Sequence, residues 1–199
     1  MTSVAAVSLL AFTVPASAHA PVVLDACDTV PKTSPLIPVG TDPIAFFSVL
    51  PHAGAHRAAQ FTMKAGEQLN VSYGIPDLAP ENGLTTDRLP VVVLIAPDHS
   101  VTVLKPDIRV PQHNSHLNQD HLLLNNHSTT AVAGTYSLLA IGRAPSRILV
   151  GTGVEDSGFH GVLRGSLATV DQIQEWYSTP PTHVKARCAT TTRPWLTQS

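Results

Sequence analysis

The apolar residues of this chain occur in short runs, and prolines or glycines separate most of these runs. Val91–Ile95 follows Pro90, and Ile44–Leu50 lies between Pro43 and Pro51. Apolar runs of about four to eight residues that are rich in β-branched side chains and bounded by turn residues predict strands. Because 17 prolines and 12 glycines punctuate 199 residues, few segments can form a long helix, and the sequence predicts an all-β fold.

About eight such runs predict an antiparallel β-sandwich with one short C-terminal helix. The predicted strands are residues 44–50, 58–63, 68–73, 90–96, 101–104, 122–124, 134–141 and 147–150. The unbroken apolar run at 90–96 predicts burial on both faces of its strand. A helix is predicted near residues 167–178, where Val170, Ile173 and Tyr177 share one helical face. Thr169 is its candidate N-cap.

Residues 1–18 predict a secretory signal peptide. Residues 4–14 are almost continuously apolar, and Ala16-Ser17-Ala18 matches a small-x-small cleavage site. The apolar run is too short to span a bilayer, which needs about 20 residues. We therefore expect a secreted protein, located outside the cell, at the cell surface or in the periplasm, with no transmembrane segment in the mature chain. Cleavage before His19 and cleavage before Pro21 both fit the pattern.

The rest of the chain predicts one domain with short appendages. Residues 19–42 are expected to form an irregular lead-in, residues 43–181 the sandwich with its helix, and residues 182–199 a tail. The two cysteines, Cys27 and Cys188, lie near opposite ends of the mature chain. In an oxidising compartment an even pair most simply forms a disulfide. The alternative is two unpaired thiols in the terminal segments.

Composition limits the classes of partner. Charged residues make up 13% of the chain, the formal net charge is −2, and Lys and Arg do not cluster. Nucleic-acid binding draws its affinity from grouped cations, so we expect no nucleic-acid partner. The expected partner is an extracellular protein, a glycan or a metal ion.

Ten histidines are unusual in so lightly charged a chain. Imidazole is a common ligand of zinc and copper, and an open site needs about three protein ligands. His113, His116 and His121 lie in one polar stretch and are the predicted ligands of such an ion. His19 is a further candidate, because a mature N-terminal histidine would bind copper through its α-amino group and its ring. The alternative is that the histidines serve as ordinary polar surface residues.

Two segments resemble secreted β-sandwich accessory domains. Residues 61–71 match the pattern F-x-x-x-A-G-x-x-L-x-V, and residues 133–138 match A-G-T-Y-x-L. Pre-peptidase C-terminal domains and jelly-roll modules are examples of this group. The resemblance implies a fold and an accessory role beside a separate partner, without implying an activity. Ala18-His19-Ala20 is similar to the processed end of exported copper carriers, which implies copper binding through His19.

Motifs of catalysis are missing from the sequence. There is no Gly-x-Ser-x-Gly elbow and no His-Glu-x-x-His segment. The acidic residues of the loop at 76–90 lack the spacing of an EF-hand calcium site. The sequence therefore predicts a non-enzymatic binding or interaction module. The alternatives are a copper- or zinc-binding protein with a His-rich loop, and a secreted hydrolase or lyase with dispersed carboxylates.

Overall fold

The computed structural model describes residues 19–153, 158–184 and 188. The predicted signal peptide and most of the predicted tail lie outside these residues. The described residues form eleven strands and one α-helix. The strands are β1 (Ala20–Leu24), β2 (Leu36–Ile37), β3 (Ile44–Leu50), β4 (His56–Met63), β5 (Gln68–Pro76), β6 (Val91–Ile95), β7 (Val101–Leu104), β8 (Val110–Asn114), β9 (Gln119–Thr130), β10 (Gly134–Ile141) and β11 (Ser146–Thr152). The helix is α1 (Val170–Ser178).

Two sheets pack face to face, which confirms the predicted β-sandwich. The six-stranded sheet has the order β1-β3-β11-β5-β9-β8, and the five-stranded sheet has the order β2-β4-β10-β6-β7. All eight predicted strands are present, and β6 and β7 form an antiparallel hairpin. The pairings of β1 with β3 and of β2 with β4 are parallel, so the sandwich is not wholly antiparallel.

Alternating side chains of both sheets form the core between them. Phe46, Tyr73 and Leu124 come from the six-stranded sheet, and Phe61 and Leu138 come from the five-stranded sheet. Each of these side chains is inaccessible to solvent. Strand residues two apart point to the same face, so each of these strands leaves its other row of side chains on an outer face.

The lead-in predicted to be irregular contains β1 and β2, and the polar stretch after β7 contains β8. Each of these three strands forms the edge of a sheet. β2 has only two residues, and β1 and β8 are short strands that contain Pro21 and Pro111, so none of the three shows the usual strand pattern. Edge strands tolerate these residues because one side of the strand needs no ladder partner.

The helix α1 lies on the outer face of the six-stranded sheet. Thr169 is its N-cap, as predicted, and forms a reciprocal capping box with Gln172. Ile173 and Trp176 are buried against Ala45 and Phe47 of β3. Val170, which the sequence placed on the buried face, is exposed instead. None of the described helices is long and apolar enough to cross a membrane.

The predicted disulfide is present. Cys27 follows β1, Cys188 follows α1, and their Cα atoms lie 5.2 Å apart. The bond joins residues separated by 161 positions and therefore ties the two ends of the domain together.

Candidate ligand-binding groove

A groove with a volume of about 720 Å³ lies on the outer face of the six-stranded sheet. Its floor comes from β3, β11, β5 and β9, and its walls come from the β8–β9 hairpin and the first residue of α1. Small-molecule sites typically have volumes of about 300 to 1,000 Å³. The groove is therefore large enough to hold a ligand of that class.

Small residues on neighbouring strands keep the floor of the groove low. Gly151 of β11 pairs with Ala45 on one side and with Ser72 on the other. A methyl group added to Gly151 would lie 3.0 Å from Ser72 Oγ and 3.8 Å from His19 Nε2. Large side chains in this row would occupy the space that is now open.

The adjoining row of the floor is apolar. Leu149 pairs with Phe47 on one side and with Gly74 on the other, and Gly74 pairs with Leu123. A β-bulge lies between Tyr73 and Gly74. A Cβ atom at Gly74 would approach the carbonyl oxygen of Leu122 to 2.6 Å, so this position requires glycine. The floor thus combines a polar row with an apolar row.

The β8–β9 hairpin supplies the histidine wall. His113 and Asp120 face each other across the two strands, and His113 Nδ1 lies 2.8 Å from Asp120 Oδ1. This bond leaves Nε2 as the ring nitrogen available to a ligand. Asn114 Oδ1 accepts hydrogen bonds from the backbone N–H groups of His116 and Leu117, which fixes the turn that carries His116.

His121 lies in the wall beneath the helix and is 6% exposed. Its ring centroid is 6.2 Å from that of Trp176 and 5.4 Å from that of Tyr177. Burial lowers the pKa of His121 from 6.5 to about 4, although nearby Asp120 acts in the opposite direction. His121 is therefore neutral at physiological pH. Its buried Nδ1 has no hydrogen-bond partner among the described residues.

Specific hydrogen bonds hold α1 at the rim of the groove. The Tyr177 hydroxyl donates to the carbonyl oxygen of Asp120 at 2.9 Å and accepts from its N–H at 3.0 Å. Gln174 Nε2 donates to the carbonyl oxygen of Leu117 at 2.8 Å, and Trp176 Nε1 donates to that of Ser48 at 2.9 Å. The helix is thus attached to the histidine hairpin as well as to the sheet.

All four predicted metal ligands, His19, His113, His116 and His121, line this groove. Among the described residues, however, no three His, Cys, Asp or Glu side chains lie close enough together to hold a metal ion. The histidines are spread around the groove rather than gathered at one point. Metal binding by these residues stays a prediction.

Glu81, in the acidic loop at 76–90, forms a buried ion pair. Its carboxylate accepts hydrogen bonds from the guanidinium of Arg147 at 2.6 and 2.7 Å. Arg147 also donates to the carbonyl oxygen of Tyr177, at the end of α1. The sequence does not indicate this pair, because its members are 66 residues apart.

His160 pairs with a residue that the sequence did not indicate. Its Nδ1 lies 2.7 Å from Oδ1 of Asp42, and its backbone N–H donates to Oδ2 of the same carboxylate. Asp42 is fully buried and is 118 residues away in the chain. The sequence neighbours Asp156 and Ser157 lie outside the described residues.

Neutral side chains make up the lining of the groove. Imidazole, amide, hydroxyl and apolar groups face it, and none of the described Asp, Glu, Lys or Arg residues does. No protein-family model matches the chain, and no curated protein matches it either. The chemistry of the groove is therefore the basis for assigning a function.

Proposed function

We propose that the protein is an exported, non-enzymatic binding module whose ligand occupies the groove on the six-stranded sheet. The observation that supports this proposal is a cavity of about 720 Å³ that has polar walls and a floor with one apolar row. Small-molecule sites combine these features, since apolar surface supplies affinity and a few polar groups fix orientation.

The lining favours a ligand that is neutral and partly apolar. A bound anion or cation would lose its hydration without gaining a charged partner, and uncompensated burial of charge is costly. Phe47, Leu123 and Leu149 offer an apolar surface, while Gln112 and Asn114 offer amides at one wall. A ligand with an apolar body and a hydrogen-bonding end fits this arrangement.

A groove-filling variant tests the proposal with Nile red, a neutral apolar dye, as the probe. Ser72 lies on the floor, so Ser72→Leu should abolish saturable dye fluorescence at equal protein concentration. Ser137→Leu is the matched control, because Ser137 is a half-buried serine on the outer face of the other sheet. We expect this control to bind the dye as the unmodified protein does.

Equal loss of binding in both variants, or no saturable binding by the unmodified protein, would refute the groove as a ligand site. Circular dichroism of both variants verifies that the fold is intact. The same variants can then be titrated with neutral oligosaccharides, which extends the test to a glycan ligand.

The resemblance to secreted accessory domains supports the same type of function. Accessory modules of this kind act beside a separate catalytic or surface partner. The groove would then bind the substrate of such a partner and hold it near the partner protein.

A second candidate function is binding of copper or zinc at the histidine wall. The supporting observation is that His113 lines the groove and that Asp120 contacts only its Nδ1. Metal-bound histidines commonly have this second contact to a carboxylate. His116 lies on the same turn, and a bound ion would complete its coordination with water or with the ligand of the groove.

Titration with copper or zinc chloride tests this candidate. The double variant His113→Ala and His116→Ala should lose stoichiometric binding. The double variant His52→Ala and His56→Ala should retain it, because those rings lie at another turn, with their Nδ1 atoms near backbone carbonyls. Unchanged binding in the first variant would remove His113 and His116 from any metal site.

A further inference from the structure

The outer face of the five-stranded sheet carries an apolar strip near its β7 edge. Leu94 and Leu138 pair with each other and point into the core. The residues next to them along each strand therefore point outward. The strip is formed by Val93, Ile95, Val101, Val103, Leu139 and Ile141. Val101 and Val103 are 60% and 47% exposed, and the other four are half-buried.

The edge of this sheet at β7 is open. Among the described residues, β7 pairs with β6 alone. Its sequence, VTVL, contains no charge and no proline. Natural edge strands usually carry such features, because an unprotected row of N–H and C=O groups pairs readily with another strand.

The other three sheet edges are protected. The N–H of Ala168 donates to the carbonyl oxygen of Pro21 on β1, and Leu36 of β2 bonds to Arg164 on its outer side. In β8, Pro111 removes a donor. In the described part of the chain, β7 is thus the edge that lacks protection.

We propose that two copies of this chain form a dimer by pairing their β7 strands antiparallel across a two-fold axis. If Thr102 faces Thr102 of the second copy, Val101 faces Val103 of that copy on the outer face. This register keeps every side chain on its original face, as strand pairing requires. It joins the two apolar strips into one continuous surface, and it makes a closed, symmetric interface.

The charges beside β7 are complementary in this arrangement. Lys105 follows the strand and Asp98 precedes it, and both are exposed. Antiparallel pairing places Lys105 of one copy beside the Asp98 turn of the other, at both ends of the paired strands. The strip itself carries no charge that two copies would bring together. These features favour a second copy over a charged partner.

The expected dimer is weak. Edge-to-edge pairing buries one four-residue strand and its neighbouring valines on each copy, which is less surface than a standard interface, where about 800 Å² is buried on each partner. We therefore expect a dissociation constant on the order of 10 µM. This inference concerns the five-stranded sheet and does not depend on the groove.

Sedimentation velocity over a range of protein concentrations tests the dimer. Val103→Lys places an ammonium group in the strip and should raise the dissociation constant at least about tenfold. Val110→Lys is the matched control, since Val110 is an equally exposed valine on the protected edge strand β8. It should change the constant by less than about twofold.

Salt provides a second measurement that does not depend on the stability of a variant. Added sodium chloride should weaken the unmodified dimer, because it screens Lys105 from Asp98. In Lys105→Glu the same salt should strengthen association, since it then screens repulsion. A monomer at all concentrations, or a dimer that Val110→Lys disrupts and Val103→Lys leaves intact, would overturn the proposal.

Discussion

The outer faces of the two sheets differ although their inner faces are alike. On the six-stranded sheet, α1 covers part of the face and a groove with histidine, serine and glycine lies beside it. On the five-stranded sheet, the half near β7 carries a strip of valine, isoleucine and leucine. The inner faces build the sandwich, whereas one outer face carries a groove and the other carries an apolar strip.

The strands β3 and β6 show how this difference arises. Both are almost wholly apolar, with Ser48 as the one polar residue of β3, and an apolar sequence of this kind favours burial on both faces. In β3 both faces are buried, because Trp176 and Ile173 of α1 cover Ala45 and Phe47. In β6 the outward Val93 and Ile95 remain half-buried. The β6 sequence is thus suited to a covered face, yet its outward side chains lie beside the exposed Val101 and Val103 of β7.

The largest expected difference between the two faces comes from truncating their central apolar side chains. Trp176→Ala removes a 5% exposed indole, its contact with Phe47 and its hydrogen bond to Ser48. We expect a loss of about 3 to 5 kcal/mol in the free energy of unfolding, measured by urea denaturation. Val103→Ala should cost less than about 1 kcal/mol, since that side chain is exposed in the monomer. Similar losses of unfolding free energy in the two variants would show that the two outer faces do not differ in the burial of their apolar side chains.

A second difference concerns pH, because the two faces hold histidine differently. His121 has a pKa of about 4 in the folded protein against 6.5 when unperturbed. Between these values the unfolded chain binds the proton and the folded chain does not, so stability falls as pH decreases from 6.5 to about 4. Below that range this contribution is constant. At about 1.4 kcal/mol per pKa unit, the loss amounts to about 3 kcal/mol.

Replacing His121 by phenylalanine, with His56→Phe as the control, isolates the contribution of His121 to the pH dependence of stability. His121→Phe should flatten the dependence of unfolding free energy on pH between 6.5 and 4. His56→Phe should leave the dependence unchanged, since His56 is exposed on β4 of the other sheet. An unchanged slope in His121→Phe would show that His121 is accessible to protons in the folded state.

The smallest expected effect comes from the cap of the helix that covers one face. Thr169→Ala removes the hydroxyl that accepts from the backbone N–H of Gln172, and should destabilise the protein by about 1 kcal/mol. Thr135→Ala, on the exposed outer face of β10, should change stability by less than about 0.5 kcal/mol. Thermal unfolding of the two variants side by side measures the difference. A larger loss of stability in Thr135→Ala than in Thr169→Ala would show that the cap does not stabilise α1 on the sheet.

The sequence predicted the fold class because the fold depends on local signals. Short apolar runs and turn residues identified eight strands, and the capping pattern of Thr169 located the helix within three residues of its observed start. The edge strands β1, β2 and β8 were missed, since their pairing depends on neighbours that are distant in the chain. The parallel pairing of β1 with β3 likewise has no local signature.

The candidate site was predictable only in part. The polar stretch with His113, His116 and His121 was identified from composition, and these residues do line one groove. The floor of the groove was not predicted, because Gly151 and Ser72 belong to strands that are neighbours in the sheet but distant in the sequence. The buried pair of Glu81 and Arg147 escaped notice for the same reason: partners far apart in sequence leave no spacing to recognise.

The bond between Cys27 and Cys188 makes the domain a closed covalent ring. A protease that cuts one exposed loop between these residues therefore opens the ring without releasing a fragment. The two pieces remain a single molecule of unchanged mass, apart from one added water, and separate only when a reductant is present. One such cut leaves the two pieces joined through the disulfide.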